Sequence, residues 1–313
     1  MISREKIPNE DQLASAVSSV VAEGPAAGSR AIDIRVWGGI DLRLLPDRGL
    51  DIGASWFRGT PLAWISQAGE QGPPPPESLV GEAGWRDAWG GGLLTTCGLS
   101  NVGRASEGHG LHGTYTARAA AGVQVERTTS QVTVTAMIAD PPFELARRIV
   151  TTAGDGLVRI DDRVVNVSRW TAAAPLLYHV NVGAPVWDGD SYLETDAREV
   201  VPRDDDAAAG HETWDTAPAP AEGAAELVFE HVGATWARLT SPALRLELTV
   251  RSSLPRLWQW VHPAAGTYAL AIEPSNCSVL GREHDIATGQ MPFLDPGEAR
   301  SSWVTIAARR PPA

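Results

Sequence analysis

The chain has 313 residues and a net charge of −12 at pH 7, so it can bury a substantial core, and it offers no basic stripe to neutralise nucleic-acid phosphates. Residues 1–10 are polar and no apolar run approaches the length of a membrane span, which predicts a cytoplasmic protein without a membrane partner. Cys97 and Cys277 lie in apolar runs without a partner at metal-ligand spacing, which predicts buried free thiols.

The first predicted element is a short helix over residues 10–23, ended by Gly24 and Pro25. Residues 31–37 and 40–45 then alternate between apolar and polar side chains on either side of two glycines, a pattern typical of a β-hairpin.

Similar alternation continues along the chain, with Pro, Gly and Asp between the runs, as expected of antiparallel strands with one buried face. The alternating runs are residues 123–127, 131–136, 145–151, 157–167, 226–230, 236–240 and 244–250. We therefore predict an all-β fold, with a helical extension over residues 1–30 and one large antiparallel β-sandwich domain over residues 31–313.

Two apolar segments each carry one titratable side chain. His179 lies in PLLYHVNVG, residues 175–183, and Glu273 lies in YALAIEPSN, residues 268–276. Burial can tune such groups towards neutral pH, where general acid and base catalysis is most effective. Either residue alone is also consistent with a satisfied polar group in a core.

Three other segments complete the pattern: DRGLDI at residues 47–52, GGLLTTCGL at 91–99, and EGHGLHG at 107–113. With the two strand-like segments, and in this order, they resemble the galactose mutarotase (aldose 1-epimerase) superfamily over roughly residues 30–308. The DRGLDI segment resembles a motif of one branch of that superfamily, Asp-Arg-Gly-x-Asp-Ile.

The resemblance implies a β-supersandwich fold and an isomerase that needs no cofactor and no metal. It implies that His179 protonates the ring oxygen of a sugar, that Glu273 takes the anomeric proton, and that His112 binds a sugar hydroxyl. Asn181 lies two residues from His179 on the same strand face, so it could bind the sugar, orient His179, or bond a loop backbone.

Several further side chains are candidates for substrate binding. Arg86 precedes the Gly-rich strand, and His109 is expected to support the sugar-binding histidine rather than touch the sugar. Gln259 and Trp260 lie on the strand before Glu273, and either could line the cleft. Arg48 is the last candidate, although pairing with Asp51 to hold a turn is favoured over sugar contact.

The aromatic residues are dominated by tryptophan, with 12 Trp against 4 Tyr and 4 Phe. Tryptophan stacks on the C–H faces of sugars while its N–H bonds a hydroxyl, although core packing must explain most of these residues. The tryptophans near candidate motifs, which could form a sugar platform, are Trp37, Trp85, Trp89, Trp258 and Trp260.

Hexose-6-phosphate mutarotases carry an arginine just before the Gly-Gly strand and another soon after the His-Gly motif. Here Gly90 takes the first place and no arginine follows the second motif until Arg118. The predicted substrate is therefore an unphosphorylated monosaccharide. Two alternatives remain open: a metal-dependent epimerase that uses the histidines and Glu273 as ligands, and a non-catalytic carbohydrate-binding protein. A homodimer is also left open.

Overall fold

The computed structural model describes residues 4–311 and shows an antiparallel all-β fold. Its strands, in chain order, are β1 Ala14–Val20, β2 Arg30–Val36, β3 Ile40–Leu45, β4 Asp51–Phe57, β5 Thr60–Pro61, β6 Leu94–Gly98, β7 Ala120–Arg127, β8 Gln131–Asp140, β9 Phe143–Thr152, β10 Leu157–Asn166, β11 Ala172–Ala173, β12 Leu176–Gly183, β13 Tyr192–Thr195, β14 Glu199–Pro202, β15 Leu227–Val232, β16 Trp236–Ser241, β17 Leu246–Ser252, β18 Arg256–His262, β19 Ala269–Ser275, β20 Phe293–Leu294 and β21 Ala299–Arg309. The helices are short: α1 Ala83–Asp87, α2 Asp205–Ala209 and α3 Arg282–Ala287, with 3-10 turns at Arg4–Lys6, Glu10–Gln12, Pro76–Ser78, Tyr115–Ala117 and His211–Thr213. None of the helices within residues 4–311 combines the length and apolar character that a bilayer crossing requires.

Two large sheets form the sandwich. The first has the order β1-β2-β3-β4-β6-β12-β19-β18-β15-β14, with β5 paired to β4, and the second has the order β13-β16-β17-β21-β10-β9-β8-β7. Apolar side chains from both sheets pack between them into the main core, including Ile52, Ile149, Val180 and Ile306. The predicted hairpin is confirmed, since β2 and β3 pair antiparallel.

The helix predicted over residues 10–23 is wrong. Only Glu10–Gln12 form a 3-10 turn, and Ala14–Val20 form strand β1, which pairs with β2 along its whole length. Residues 14–20 include two valines and three serines, residue types with a low preference for helix. A short helix here would also leave the backbone groups at its two ends unpaired. Pairing with β2 satisfies those groups, and β1 becomes an edge strand of the first sheet.

Strands β6, β12, β19 and β18 are neighbours in the middle of the first sheet. Every residue of β12 is buried, because Tyr178, Val180 and Val182 face the main core while a second layer covers the opposite face. That second layer is a separate apolar cluster that includes Trp85, Leu111, Trp260 and Val279. The loops between β5 and β7 supply part of this second layer. Strand β12 therefore packs against the main core on its inner face and lies beneath the second layer on its outer face.

Candidate active site

A cavity of about 1010 Å³ opens on the outer face of the first sheet. Its floor includes His179 of β12 and Glu273 of β19, and His112 reaches it from the loop between β6 and β7. Three segments that are distant in the sequence therefore bring their titratable side chains to one concave surface.

The strand register explains why His179 and Glu273 meet. Leu177 lies opposite Ser275 and Val180 lies opposite Ile272 in the β12–β19 pair, so His179 is level with Glu273 and both side chains face outwards. His179 Nε2 lies 3.2 Å from Glu273 Oε1, and each side chain is only 4% exposed.

Asn181 fixes the proton arrangement of His179. The Asn181 amide nitrogen donates to Gly92 O at 2.8 Å and to His179 O at 3.1 Å, so the amide oxygen must face the imidazole. That oxygen can only accept, so His179 Nδ1 carries the proton and donates to it. In the neutral ring, Nε2 is then unprotonated and can accept a hydrogen bond from a protonated Glu273 carboxyl.

Burial favours the neutral form of both side chains. Desolvation raises the pKa of Glu273 to about 8, and the charge of nearby Glu226 adds to this rise while Arg203 opposes it. Desolvation lowers the pKa of His179 to about 4, and its hydrogen bond to Asn181 opposes the shift. At neutral pH, besides the fixed proton on His179 Nδ1, one proton is therefore shared between His179 Nε2 and the Glu273 carboxyl, and it rests on Glu273.

His112 is prepared as a hydrogen-bond donor. Its Nδ1 accepts from Gly103 N at 3.3 Å, so the proton of the neutral ring lies on Nε2. Burial, with the nearby His179 and Arg86, holds the pKa of His112 well below its usual value, so the ring stays neutral. The backbone of His112 has a φ of 55°, a strained conformation for a residue with a side chain.

Indole rings form one wall of the cavity, which we call the tryptophan wall: Trp64, Trp85, Trp89 and Trp260. The Trp89 ring centroid lies 4.8 Å from that of Trp64, 4.9 Å from that of Trp85 and 5.0 Å from that of His179. Trp85, Trp89 and Trp260 thus lie where a sugar platform was predicted. Trp37 is 58% exposed on a hairpin turn, and Trp258 is buried in the cluster beneath, so neither belongs to the wall.

Charged side chains also line the cavity, and their arginines are already paired. Arg203 donates to Asp204 at 2.7 Å and to Glu226 at 3.0 Å. Arg86 lies 3.0 Å from Glu82, and Arg104 lies 3.7 Å from Asp204. An anionic substrate group that approached these arginines would also meet the negative charges of Glu82, Asp204 and Glu226.

The predicted site residues divide into two groups. His112, His179, Glu273, Arg86 and Trp260 line the cavity. The remaining four, Arg48, His109, Asn181 and Gln259, do not border it.

Each of these four has partners that account for its position. Gln259 accepts from His231 and donates to Trp214 O, and His109 sits in a small turn whose backbone bonds Ser106. Asn181 orients His179 from beneath the cavity floor, which was one of its predicted roles.

The predicted pairing of Arg48 with Asp51 is wrong. The Asp51 carboxylate instead accepts from Thr96 Oγ1 of the same sheet at 2.6 Å and from Arg147 of the second sheet at 3.0 Å, and the contact with Arg147 ties the two sheets together. Arg48 is buried and donates to Gly72 O, Ala88 O and Thr116 Oγ1.

Sequence reasoning missed Trp64, Ser66, Arg203 and Glu226, all of which line the cavity. Arg203 and Glu226 flank a stretch rich in Ala, Pro and acidic residues that gives no local signal of a site. The Ser66 hydroxyl is buried and finds no hydrogen-bond partner within residues 4–311, so a ligand hydroxyl could satisfy it.

The predicted metal alternative lacks a ligand set. In the described part of the chain, no three His, Cys, Asp or Glu side chains are grouped so as to hold a metal ion. His109 in particular does not join His112, His179 and Glu273 at the cavity. The two cysteines are buried and free, as predicted.

Comparison with known proteins identifies a family and a fold. The profile of the family described as "Domain of unknown function (DUF4432)" matches residues 26–308. A search of curated proteins returns no significant match to this chain.

Several solved structures share the fold. A proposed aldose 1-epimerase from Klebsiella pneumoniae superposes with a TM-score of 0.84 at 19% identity, covering 95% of this chain and 88% of its own. A galactose mutarotase-like protein from Clostridium acetobutylicum gives a TM-score of 0.65 at 11% identity, covering 96% of this chain and 99% of its own. Another galactose mutarotase-like protein, from Lactobacillus casei, gives 0.59 at 16% identity, with coverage of 89% and 100%. At these identities the likeness establishes the galactose mutarotase-like fold.

Proposed function

The chain belongs to the DUF4432 family, and we propose that it is an aldose 1-epimerase-like isomerase acting on an unphosphorylated monosaccharide. The sandwich is proposed to be a single domain, and it begins before the predicted boundary at residue 31, because β1 pairs with β2. The observation that carries the proposal is the contact of 3.2 Å between His179 Nε2 and Glu273 Oε1 on the floor of a cavity walled by tryptophan.

Interconversion of anomers needs little more than a shared proton. A cyclic hemiacetal opens when a base takes the O1 proton and an acid protonates the ring oxygen, and it closes again on the other face after C1 rotates. The number of protons on the enzyme is the same before and after, so one acid–base pair is sufficient.

The resemblance assigns the acid to His179 and the base to Glu273, whereas the shared proton rests on Glu273 at neutral pH. Transfer of that proton to Nε2 produces an imidazolium and a carboxylate without changing the net charge of the pair. Their attraction at short range offsets part of the cost of two buried charges. Imidazolium then protonates the ring oxygen, the carboxylate takes the O1 proton, and ring opening returns the pair to its neutral state.

Other side chains supply binding. His112 Nε2–H is available to a sugar hydroxyl, and the tryptophan wall offers an apolar surface to the C–H face of the ring. Glu226 accepts from Trp260 Nε1 at 2.9 Å and from Arg203, and its remaining lone pairs can accept from substrate hydroxyls.

The charges of the cavity support the preference for an unphosphorylated sugar. Each arginine that borders it, among the described residues, already faces a carboxylate. A phosphate group binds best where arginine donors are free to form paired hydrogen bonds.

A non-catalytic sugar-binding protein accounts less well for the floor of the cavity. Binding alone needs hydroxyl partners and an apolar face, not a buried carboxyl with its pKa raised to about 8 beside a buried imidazole. A strongly shifted titratable pair in a cleft is instead typical of proton-transfer sites.

The proposal is tested by following anomeric equilibration of freshly dissolved α-anomers by NMR. The panel holds pentoses, hexoses and deoxyhexoses, each beside its phosphorylated or sulfonated counterpart where one exists. We expect acceleration above the buffer rate for at least one uncharged sugar and a much weaker effect on its anionic counterpart. No acceleration of any sugar would refute the proposal.

A further inference from the structure

Arg48 joins three segments that are far apart in the sequence. It lies in the Asp-Arg-Gly-x-Asp-Ile segment between β3 and β4 and is 6% exposed. Its guanidinium donates to Gly72 O at 2.7 Å, to Thr116 Oγ1 at 3.0 Å and to Ala88 O at 3.1 Å. It does not border the cavity, so any effect on a substrate is transmitted through one of these partners.

The contact with Ala88 reaches the tryptophan wall. Ala88 caps the C-terminus of α1, whose segment contributes Trp85, Arg86, Asp87 and Trp89 to the cavity lining. A cation near the C-terminus of a helix also interacts favourably with its exposed carbonyl groups.

The α1 segment depends on contacts with the rest of the chain for its position. The helix spans five residues and its N-cap, Glu82, makes no capping hydrogen bond through its side chain. A helix this short does not persist in water without tertiary contacts. Trp85 is buried in the second apolar cluster, and Gly90 O accepts from Ser66 N at 3.1 Å. Two side-chain hydrogen bonds add to these anchors: Trp89 Nε1 donates to Thr95 Oγ1 at 3.0 Å, and Arg48 donates to the backbone at Ala88 O.

The other two contacts of Arg48 make it a firm support. Gly72 and Thr116 belong to separate loops, and their acceptors fix the guanidinium plane so that the remaining donor points at Ala88 O. The planar guanidinium directs its donors along fixed lines to these three acceptors, whereas the donors of a lysine ammonium surround a single nitrogen atom and rotate freely.

We propose that Arg48 is a positioning residue, which holds the α1 segment so that Trp85 and Trp89 face a sugar placed over His179 and Glu273. The identity of the ligand as a sugar rests on the proposed function. The mechanical part, that Arg48 holds residues 82–90, does not depend on it.

The mechanical part is tested by hydrogen exchange of the intact protein, read by mass spectrometry on peptides that cover residues 82–90. In Arg48→Met we expect exchange in this segment to speed up by about tenfold or more, the scale for losing a hydrogen bond to a charged group. Peptides of β12 and β19 should keep wild-type protection. Arg48→Lys serves as a second variant if the methionine variant does not fold, with a smaller increase expected.

Arg30→Met is the matched control. Arg30 belongs to the same region and bonds Asp47 and Ala120 O, but it makes no contact with α1. This variant should leave exchange over residues 82–90 unchanged. Equal acceleration in both variants, or uniform acceleration over the whole chain in Arg48→Met, would overturn the positioning role.

The functional part is tested on a sugar that the wild-type protein accelerates. Arg48→Met should raise KM by roughly tenfold and change kcat by less than about threefold, because the acid–base pair is intact and only the binding wall is loosened. The pH profile of kcat should not move. A fall in kcat at unchanged KM would overturn the functional part of the proposal. A wild-type protein that is inactive on every sugar would refute the proposed function, but the hydrogen-exchange result would still test whether Arg48 holds residues 82–90.

Discussion

His179 and Glu273 lie level on adjacent antiparallel strands, with Nε2 of the imidazole 3.2 Å from Oε1 of the carboxyl. Both groups are buried, yet their shared surroundings shift their pKa values in opposite directions, because desolvation favours the neutral form of each. The pair therefore keeps one proton over a wide range of pH, which is the state that anomer interconversion requires.

The first prediction is a bell-shaped dependence of kcat/KM on pH. Below the His179 pKa of about 4 both His179 Nε2 and Glu273 carry a proton and no base remains, and above the Glu273 pKa of about 8 neither of them carries one and no acid remains. We expect limbs near these two values, which belong to the pair as a whole. A profile that is flat from pH 5 to pH 10 would contradict the shared-proton state.

The second prediction concerns Glu226, whose negative charge raises the pKa of both Glu273 and His179. Glu226→Gln removes that charge while keeping the shape, so both pKa values should fall and the whole bell should move to lower pH. Glu230→Gln is the control, because Glu230 lies on the neighbouring strand β15 and pairs with Arg256 rather than bordering the cavity. An unmoved alkaline limb in Glu226→Gln would contradict the electrostatic coupling.

The third prediction concerns the acid–base pair itself. Glu273→Gln and His179→Asn should each lower kcat by roughly 10²–10⁴-fold with little change in sugar affinity, because each removes a proton-transfer partner and keeps most of the shape. The two losses should not add fully, since both groups serve one ring-opening step.

His231→Asn controls for the loss of a buried histidine. His231 is buried with its pKa lowered to about 4, but it bonds Gln259 and Thr195 away from the cavity. Its activity per folded molecule should match the wild type. Wild-type rates in Glu273→Gln would rule out the proposed base.

The fourth prediction is a dependence of stability on pH. The Glu273 pKa is raised from about 4.5 in the unfolded chain to about 8, so the folded state holds an extra proton and loses stability as pH rises through this interval. Histidines whose pKa is lowered by folding change the stability only below pH 6.5. Between pH 6.5 and 8 the change in stability is therefore expected to come from Glu273. The free energy of unfolding should fall by about 2 kcal/mol over that window, measured by urea titration. In Glu273→Gln this decrease should disappear.

The fifth prediction concerns the tryptophan wall. Trp89→Phe removes the Nε1–Thr95 hydrogen bond and part of the ring surface beside His179, so KM should rise by roughly two- to tenfold. Trp37→Phe, at an exposed hairpin turn, should leave KM unchanged. Equal KM values in the two variants would argue against sugar contact at Trp89.

The sequence predicted the all-β fold because alternation of apolar and polar residues records which face of a strand is buried. This signal failed at residues 14–20, where serine and small residues carry no clear period and pairing with β2 decided the structure. It also gave no strand period at β12, because both faces of that strand are covered.

The sequence also indicated the two titratable groups, since a histidine and a glutamate stand out within apolar runs. Their contact, the fixed proton on His179 Nδ1, and the arrival of Trp64, Arg203 and Glu226 at the cavity come from strand register and from loops that fold over the sheet. Likewise the local sequence predicted that Arg48 pairs with Asp51. In the folded chain Asp51 instead accepts a hydrogen bond from Arg147, and Arg48 donates one to Ala88 O. Local patterns are determined by neighbours along the chain, but the pKa of a buried group and the partner of a buried arginine depend on what surrounds them in space, and only the tertiary structure decides that.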